Sequence, residues 1–443
     1  MLNKLTAISQ KLTPNLRQII GNTSWLFSEK ILQMVLGLLV GVWITRYLGP
    51  ERFGRFNYAT AIAGLFVPIA KLGLDNIVIR NLARDPSQKD ETLGTAFALK
   101  LISSLLTWFL AIGVICLIEP SVTSANRETR WLVAIAATGS IILSFDVIDY
   151  WFQSQVQAKY SVWARNGAYV LINLVKLVLI QIRAPLIAFA IAMVAEYALA
   201  AIGYLMSYRL QGNLFRSWKA NFSYAKVLLK DSWPLILSGI VITVYMGIDQ
   251  VMLGWMTGEK SVGIYAAAVK ISGLWYFVPA AIVNSVFPSI VQAKEISEDV
   301  YYERIQKLFN VMAVLAYSVA IPVTFLSSWI VTLIYGQYYA EAGSILTVHI
   351  WTGLFVSLGI ARETWLTTEG LMKFSAATTA VGAVVNVVLN SFLINPYGGL
   401  GAAIATVIAQ IVASYAAGAL YPQTRKIFSH QTKAITLLGL IGR

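Results

Sequence analysis

The sequence predicts an all-α integral membrane protein with twelve transmembrane helices arranged as two parallel six-helix repeats. Three observations predict it. Only 12% of the 443 residues are charged while 57% are apolar, against roughly 25% charged in a soluble domain. Mean hydropathy is +0.67. The apolar residues come in unbroken runs of about 20, and at a rise of about 1.5 Å per residue each run covers the roughly 30 Å hydrocarbon layer. Strands of a membrane barrel would instead alternate apolar and polar over about ten residues.

In chain order the expected spans are 22–47, 56–80, 93–118, 131–153, 162–182, 185–208, 233–255, 263–288, 308–332, 344–366, 374–394 and 399–421. With the N-terminus inside, and with Arg46, Arg80 and Arg165 near span ends counted with the connections they adjoin, the inner connections hold 21 lysines and arginines, the outer ones 7 and the spans 6, which together make the 34 of the chain. Basic residues accumulate on the cytoplasmic side, so both termini are expected there. The same bias accounts for the net charge of +13 without nucleic acid as a partner. The N-terminal stretch lacks the apolar core and small-residue cleavage site of a signal peptide. One cysteine, Cys116, and two separated histidines, His349 and His430, predict neither an internal disulfide nor a metal centre.

The basic stretch 209–231 follows the sixth span and divides the chain into an N-terminal half, 1–208, and a C-terminal half, 232–443. A shift of 209 residues lays "GPERFGRFNYATAIAGL" on "GEKSVGIYAAAVKISGL" and matches Gly49 with Gly258, Gly54 with Gly263, Ala59 with Ala268, Ile62 with Ile271, Gly64 with Gly273 and Leu65 with Leu274. Six helices per unit keep both copies in one orientation, so the repeat is parallel. Two such repeats around a site are a common transporter plan.

A charge at the bilayer centre costs about 2.5–3.5 kcal/mol, so the charges inside the spans must face protein or water. Asp249 and Lys270 lie at one height on neighbouring helices and are expected to pair or share a wet site. Glu29 and Lys30 on the first span are level with Asp75 on the second, one turn from Lys71. Asp146, Asp149, Tyr150 and Gln153 follow the i, i+3, i+4, i+7 rule and line one face of the fourth span. Glu196 is central in the sixth span with no base expected at its depth, which makes it a candidate for proton coupling. Lys100, Lys176 and Arg362 are expected to snorkel to an interface. No nucleophile–base set and no phosphate loop is visible, so the expectation is a protein that is not an enzyme, needs no cofactor and draws on an ion gradient.

The stretches "LGPERFGRFNYATAIAGLFVPIAKLGLDNIVIR" (48–80), "GIDQVMLGWMTGEKSVGIYAAAVKI" (247–271), "IYGQYYAEAGSILTVHIW" (334–351) and "NPYGGLGAAIAT" (395–406) resemble, in order and spacing, the polysaccharide-transporter family. These are the O-antigen and exopolysaccharide flippases of the multidrug/oligosaccharidyl-lipid/polysaccharide exporter superfamily. The resemblance implies two lobes around a central cavity in a bacterial inner membrane. It also implies translocation of an undecaprenyl-diphosphate-linked oligosaccharide to the outer leaflet by alternating access. Polysaccharide polymerase and glycosyltransferases are then expected partners. A diphosphate calls for basic residues, and the positions here that can serve are Lys30, Lys71, Arg80 and Lys270. The candidate ion-coupling residues are Glu29, Asp146, Asp149, Glu196 and Asp249. These same carboxylates support the alternative, a cation-coupled multidrug exporter. The spans hold six bases and seven acids, so the substrate assignment rests on the resemblance and not on the charge count.

Overall fold

Helix follows helix through the computed structural model, which describes residues 14–121 and 123–438; every regular element among them is helical. Among the described residues, ten helical stretches are long and apolar enough to cross a membrane. Two of them, Ser24–Leu65 with 42 residues and Met372–Leu420 with 49, would reach roughly 60 to 75 Å if straight. They are not straight. The first helix, α1 (Pro14–Leu65), breaks at Gly49 (φ 70°, ψ 170°) beside Pro50. The helix Met372–Ile411 breaks at Gly398 (φ 54°, ψ −132°), two residues after Pro396. Glycine alone takes such φ values at no steric cost, and proline removes the N–H that would carry the helix through.

Several spans expected as single helices are interrupted, and polar residues cluster at the interruptions. The second span, 56–80, divides into the end of α1, a short α2 (Val67–Lys71) and α3 (Asp75–Arg84), separated by left-handed Leu72 and Gly73. Pro68 starts the break. Gly73 holds it against the helix at Leu235, where a Cβ would come within 2.7 Å. The fourth span tightens at Leu143–Asp146 between α5 (Ser124–Ile142) and α6 (Val147–Ser154). Freed backbone groups at membrane depth are tolerated where protein or a wet cavity satisfies them.

The chain forms two compact units. One holds the described residues up to Tyr47 together with Ile62–Ile240; the other holds Leu48–Ala61 and the residues from Val241 onward. The basic stretch 209–231, expected as a linker, folds into the first unit. Lys219 N–H donates to the Asp90 carbonyl at 3.1 Å. Asn221 donates through its backbone to Thr95 at 3.0 Å and through its amide to Glu91 at 2.6 Å. Trp218 donates to Tyr208 at 3.2 Å.

In the second unit, the turn at Gly49 and the turn at Gly258 (φ 89°, ψ 170°) share one backbone conformation. The helices that follow them touch backbone to backbone. A Cβ on Gly54 would meet the Glu259 carbonyl oxygen at 1.7 Å, and a Cβ on Gly263 would meet the Pro50 carbonyl oxygen at 1.9 Å. The contact is reciprocal under the 209-residue shift. Arg55, in the polar knot of 46–56, closes it with an ion pair to Glu259 at 2.7 Å.

Candidate functional site

In the first unit the expected polar face of α6 is present, but its members have separate tasks. Asp149 accepts from Arg165 Nη1 at 2.8 Å and from Gln153 at 2.9 Å. Arg165 stands on α7 (Ala158–Gln181), and its other two nitrogens donate to both carboxylate oxygens of Glu29 at 2.6 and 2.9 Å. Its Nη1 also donates to the Tyr204 hydroxyl at 3.2 Å. One guanidinium therefore neutralises two carboxylates from two helices, in the bidentate geometry that arginine favours. Sequence reasoning missed Arg165 by counting it among the inner connections, although it lies four residues into the expected fifth span. The signal was available: Glu29 and Asp149 needed a base, and Arg165 is an arginine at span depth.

Tyr150, one residue on, links a second chain of contacts. It accepts from Lys100 Nζ at 2.9 Å and donates to Asp75 at 2.5 Å. Lys100 is 1% exposed, so the expectation that it snorkels is corrected: helix α4 (Lys89–Ile118) turns it inward onto the break at Asp75. Lys71 lies 4.0 Å from Asp75. Lys100 and Lys71 lie within electrostatic reach of Asp146.

Glu196, expected to lack a base at its depth, is paired with Lys176 at 3.2 Å. The expectation that Lys176 snorkels falls with it. The two helices α7 and α8 (Leu186–Leu210) form a tight antiparallel hairpin, which brings the two residues level. Lys30 is exposed, because consecutive helical residues point about 100° apart and Glu29 takes the buried side. Arg80 is also exposed and binds Asp231 at 3.1 Å.

In the second unit, Asp249 stands on α9 (Phe222–Thr257) and is 4% exposed. It does not take Lys270 as the expected partner. Three neutral donors hold it: Tyr265 at 2.7 Å, Thr406 at 2.7 Å and Asn390 at 2.6 Å. Asn390 also donates to Asn386 at 3.0 Å. Lys270, at the end of α10 (Glu259–Gly273), is exposed, with its Nζ 4.9 Å from the Phe53 ring centroid. Counting residues set both at one height, but they face different ways around their helices.

Asp249 lines a cavity of about 280 Å³ that also exposes Tyr245, His349, Gln410 and Arg362. Arg362, on α14 (Thr352–Thr368), is 3% exposed; burial among α14 and its neighbours overturns the expectation that it snorkels. For that numbering, α11 is Phe277–Ile296, α12 Glu298–Tyr335 and α13 Ala342–His349. His349 sits where the expected tenth span breaks and shares a hydrogen bond with Ser272 at 2.7 Å. Among the described residues no group of histidine, cysteine and carboxylates is placed to hold a metal.

The arrangement is that of buried ionic and dipolar contacts at helix interruptions, which suits binding and conformational change more than covalent chemistry. Comparison with known proteins agrees. Residues 19–294 match the model of the family described as polysaccharide biosynthesis protein, and residues 234–392 match that of MatE. A capsular polysaccharide biosynthesis protein, CapF of Staphylococcus aureus, is 22% identical over 89% of this chain and 97% of its own length. A putative O-antigen transporter of Shigella flexneri is 22% identical over 93% and 100%. Among solved structures, an inward-facing multidrug resistance MATE family transporter superposes with a TM-score of 0.70 at 17% identity, over 91% of this chain and 96% of that one. The lipid II flippase MurJ superposes at 0.67 and 14%, over 95% and 91%. This chain shares their fold, and by the match over 19–294 it belongs to the polysaccharide biosynthesis protein family.

Proposed function

We propose that the protein is a flippase. It moves an undecaprenyl-diphosphate-linked oligosaccharide from the cytoplasmic to the outer leaflet of the bacterial inner membrane by alternating access. The full-length similarity to an O-antigen transporter and a capsule biosynthesis protein supports the substrate class. The two doubled helices, each about twice the bilayer in length, bring ten long helices to twelve crossings. These form two parallel repeats, 1–208 and 232–443, with both termini cytoplasmic.

One observation favours this reading over a cation-coupled drug exporter. Such an exporter needs interior carboxylates free to bind a cation, and here three of the five candidates, Glu29, Asp149 and Glu196, already hold Arg165 and Lys176. Asp249 and Asp146 are left for ion coupling, since neither has a basic hydrogen-bond partner among the described residues. Lys270, Lys30 and Lys71 serve the diphosphate, and Arg80 does so only by releasing Asp231.

Expression in a strain lacking its own O-antigen flippase tests the reading. Surface glycan returns with the wild type. It falls with Lys270→Ala but not with Lys307→Ala, a surface base paired at 2.6 Å with Glu303. Failure to restore any glycan with the protein present in the membrane at normal levels overturns it.

A further inference from the structure

The second unit's cavity contains buried polar hydrogens with nothing to meet. Arg362 uses Nη2 on the Thr378 hydroxyl at 3.3 Å, with Glu363 at 3.9 Å, and lays one face toward Phe374. Its Nε and Nη1 are buried with no hydrogen-bond partner, and so is the hydroxyl of Tyr245. Both residues line the same cavity, and the Tyr245 hydroxyl lies within electrostatic reach of Arg362 and of Asp249, one helical turn further along α9. Native proteins leave few such groups unmet. Its acidic neighbour Glu363, 3.9 Å away, stands at the Nη2 of Arg362 only, so Nε and Nη1 carry the cost of unmet buried donors.

The acidic groups of the cavity do not fill the need. Glu363 accepts from Ser375 at 2.8 and 2.9 Å. Asp249 is held by its three neutral donors. Thr406 touches Asp249, whereas Ser414, eight residues further along, packs on Gly359 next to Arg362, where a glycine Cβ would meet its hydroxyl at 2.7 Å. Eight residues make roughly 12 Å of helix. At the Arg362 end the helix widens into a π turn over Val412–Ala416, a feature frequent at functional sites.

We infer that the Arg362 end of this cavity is an oxyanion site, taking a phosphate or diphosphate group through Arg362 and Tyr245. Glu363, 3.9 Å away and also held by Ser375, meets the charge in part, and an oxyanion would meet both the charge and the unmet hydrogens. The cavity of about 280 Å³ lies just under the range of roughly 300–1,000 Å³ that encloses drug-sized ligands, so it admits a headgroup and not a glycan. Gln410 and Ser414 supply further polar groups at its wall. Assigning the oxyanion to a lipid carrier rests on the flippase reading; the site itself does not.

The test uses the purified full-length protein in nanodiscs with two probes, inorganic pyrophosphate and farnesyl diphosphate, read by calorimetry. Both are expected to bind, and Arg362→Met to weaken both by about ten- to hundredfold, the scale of a charge-assisted hydrogen bond. Tyr245→Phe, which keeps shape and charge, is expected to weaken both by about threefold and guards against misfolding in the first variant. Tighter binding of farnesyl diphosphate than pyrophosphate assigns the site to a lipid-borne group; equal binding assigns it to the free anion. Binding unaffected by either substitution, or no binding of either probe to the wild type, overturns the site. Loss of probe binding in Arg362→Met with glycan export intact keeps the site and removes its link to flipping. Arg362-dependent probe binding in a protein that restores no export keeps the site and overturns the flippase reading.

Discussion

The two units meet the same problem, charge inside a membrane, in opposite ways. In the first, charge answers charge: Arg165 spans Glu29 and Asp149, Lys176 meets Glu196, and Lys71 and Lys100 gather around Asp75, Tyr150 and Asp146. In the second, Asp249 is held by hydroxyls and an amide, and Arg362 keeps two nitrogens unmet. An ion pair screens its members from any third ion. A carboxylate held by neutral dipoles has no basic partner of its own, and a guanidinium with unused donors keeps its demand. The first unit is thus internally balanced, whereas the second leaves its buried carboxylate on neutral donors and two guanidinium nitrogens unmet.

Breaking the first unit's balance gives the largest expected effect. Arg165→Ala leaves two carboxylates side by side and is expected to cost about 3 kcal/mol of stability, at the low end for a broken buried pair because Arg165 is 25% exposed. Thermal unfolding in detergent checks this, and a loss under about 1 kcal/mol removes the contrast between the units. Next comes Asp249→Asn, which lacks the charge its three donors serve; about 1–2 kcal/mol is expected. Its sharper signature is functional: vesicle transport that depends on an imposed ion gradient in the wild type becomes indifferent to it. Unchanged gradient dependence takes Asp249 out of coupling.

Third is the pair Lys176–Glu196. Each single neutral substitution, Lys176→Met or Glu196→Gln, is expected to cost about 1 kcal/mol, and the double variant less than their sum. With Lys176 in place, Glu196→Gln should leave the pH dependence of transport unaltered. A shifted pH profile restores Glu196 as a coupling residue.

The smallest effect lies outside the spans, on α17 (Arg425–Ile435), the numbering passing α15 (Met372–Ile411) and α16 (Ala417–Leu420). His430 shares a hydrogen bond with Gln306 at 2.6 Å and stacks on Tyr302, over which Lys426 also lies. Burial, with Lys433 and Lys426 nearby, holds its imidazole below the ordinary histidine range. The unfolded chain therefore binds the proton more readily. Stability from this contact is complete above about pH 6.5 and is lost as pH falls through the lower folded value. Cross-linking of a cysteine pair placed across α17 and α12 should weaken in that window, and His430→Gln should abolish the change.

The sequence shows depth well and direction poorly. Counting residues along a helix gives height at about 1.5 Å a step, and that suffices to find the long apolar runs and the interior acids. Rotation about each helix axis relative to its neighbours is set by packing that no single sequence displays. Asp249 and Lys270 were level yet did not meet; Lys100 and Arg362 lay near an inner end yet turned inward. Interruptions such as those at Leu72 and at Leu143–Asp146 add to this, because each resets the phase of every residue beyond it. The glycine knots were legible since they act through backbone, whose rules are local.

The reciprocal contact of Gly54 and Gly263 carries a consequence for ancestry. A side chain at either site runs into the backbone of the other segment, so neither position can drift while its counterpart stays. Two copies of a duplicated gene can diverge freely where each touches only itself. Where copy touches copy across such a point, they are bound to change together or not at all. If the halves are copies of one unit, this contact ties Gly54 to Gly263 and preserves their likeness at that point.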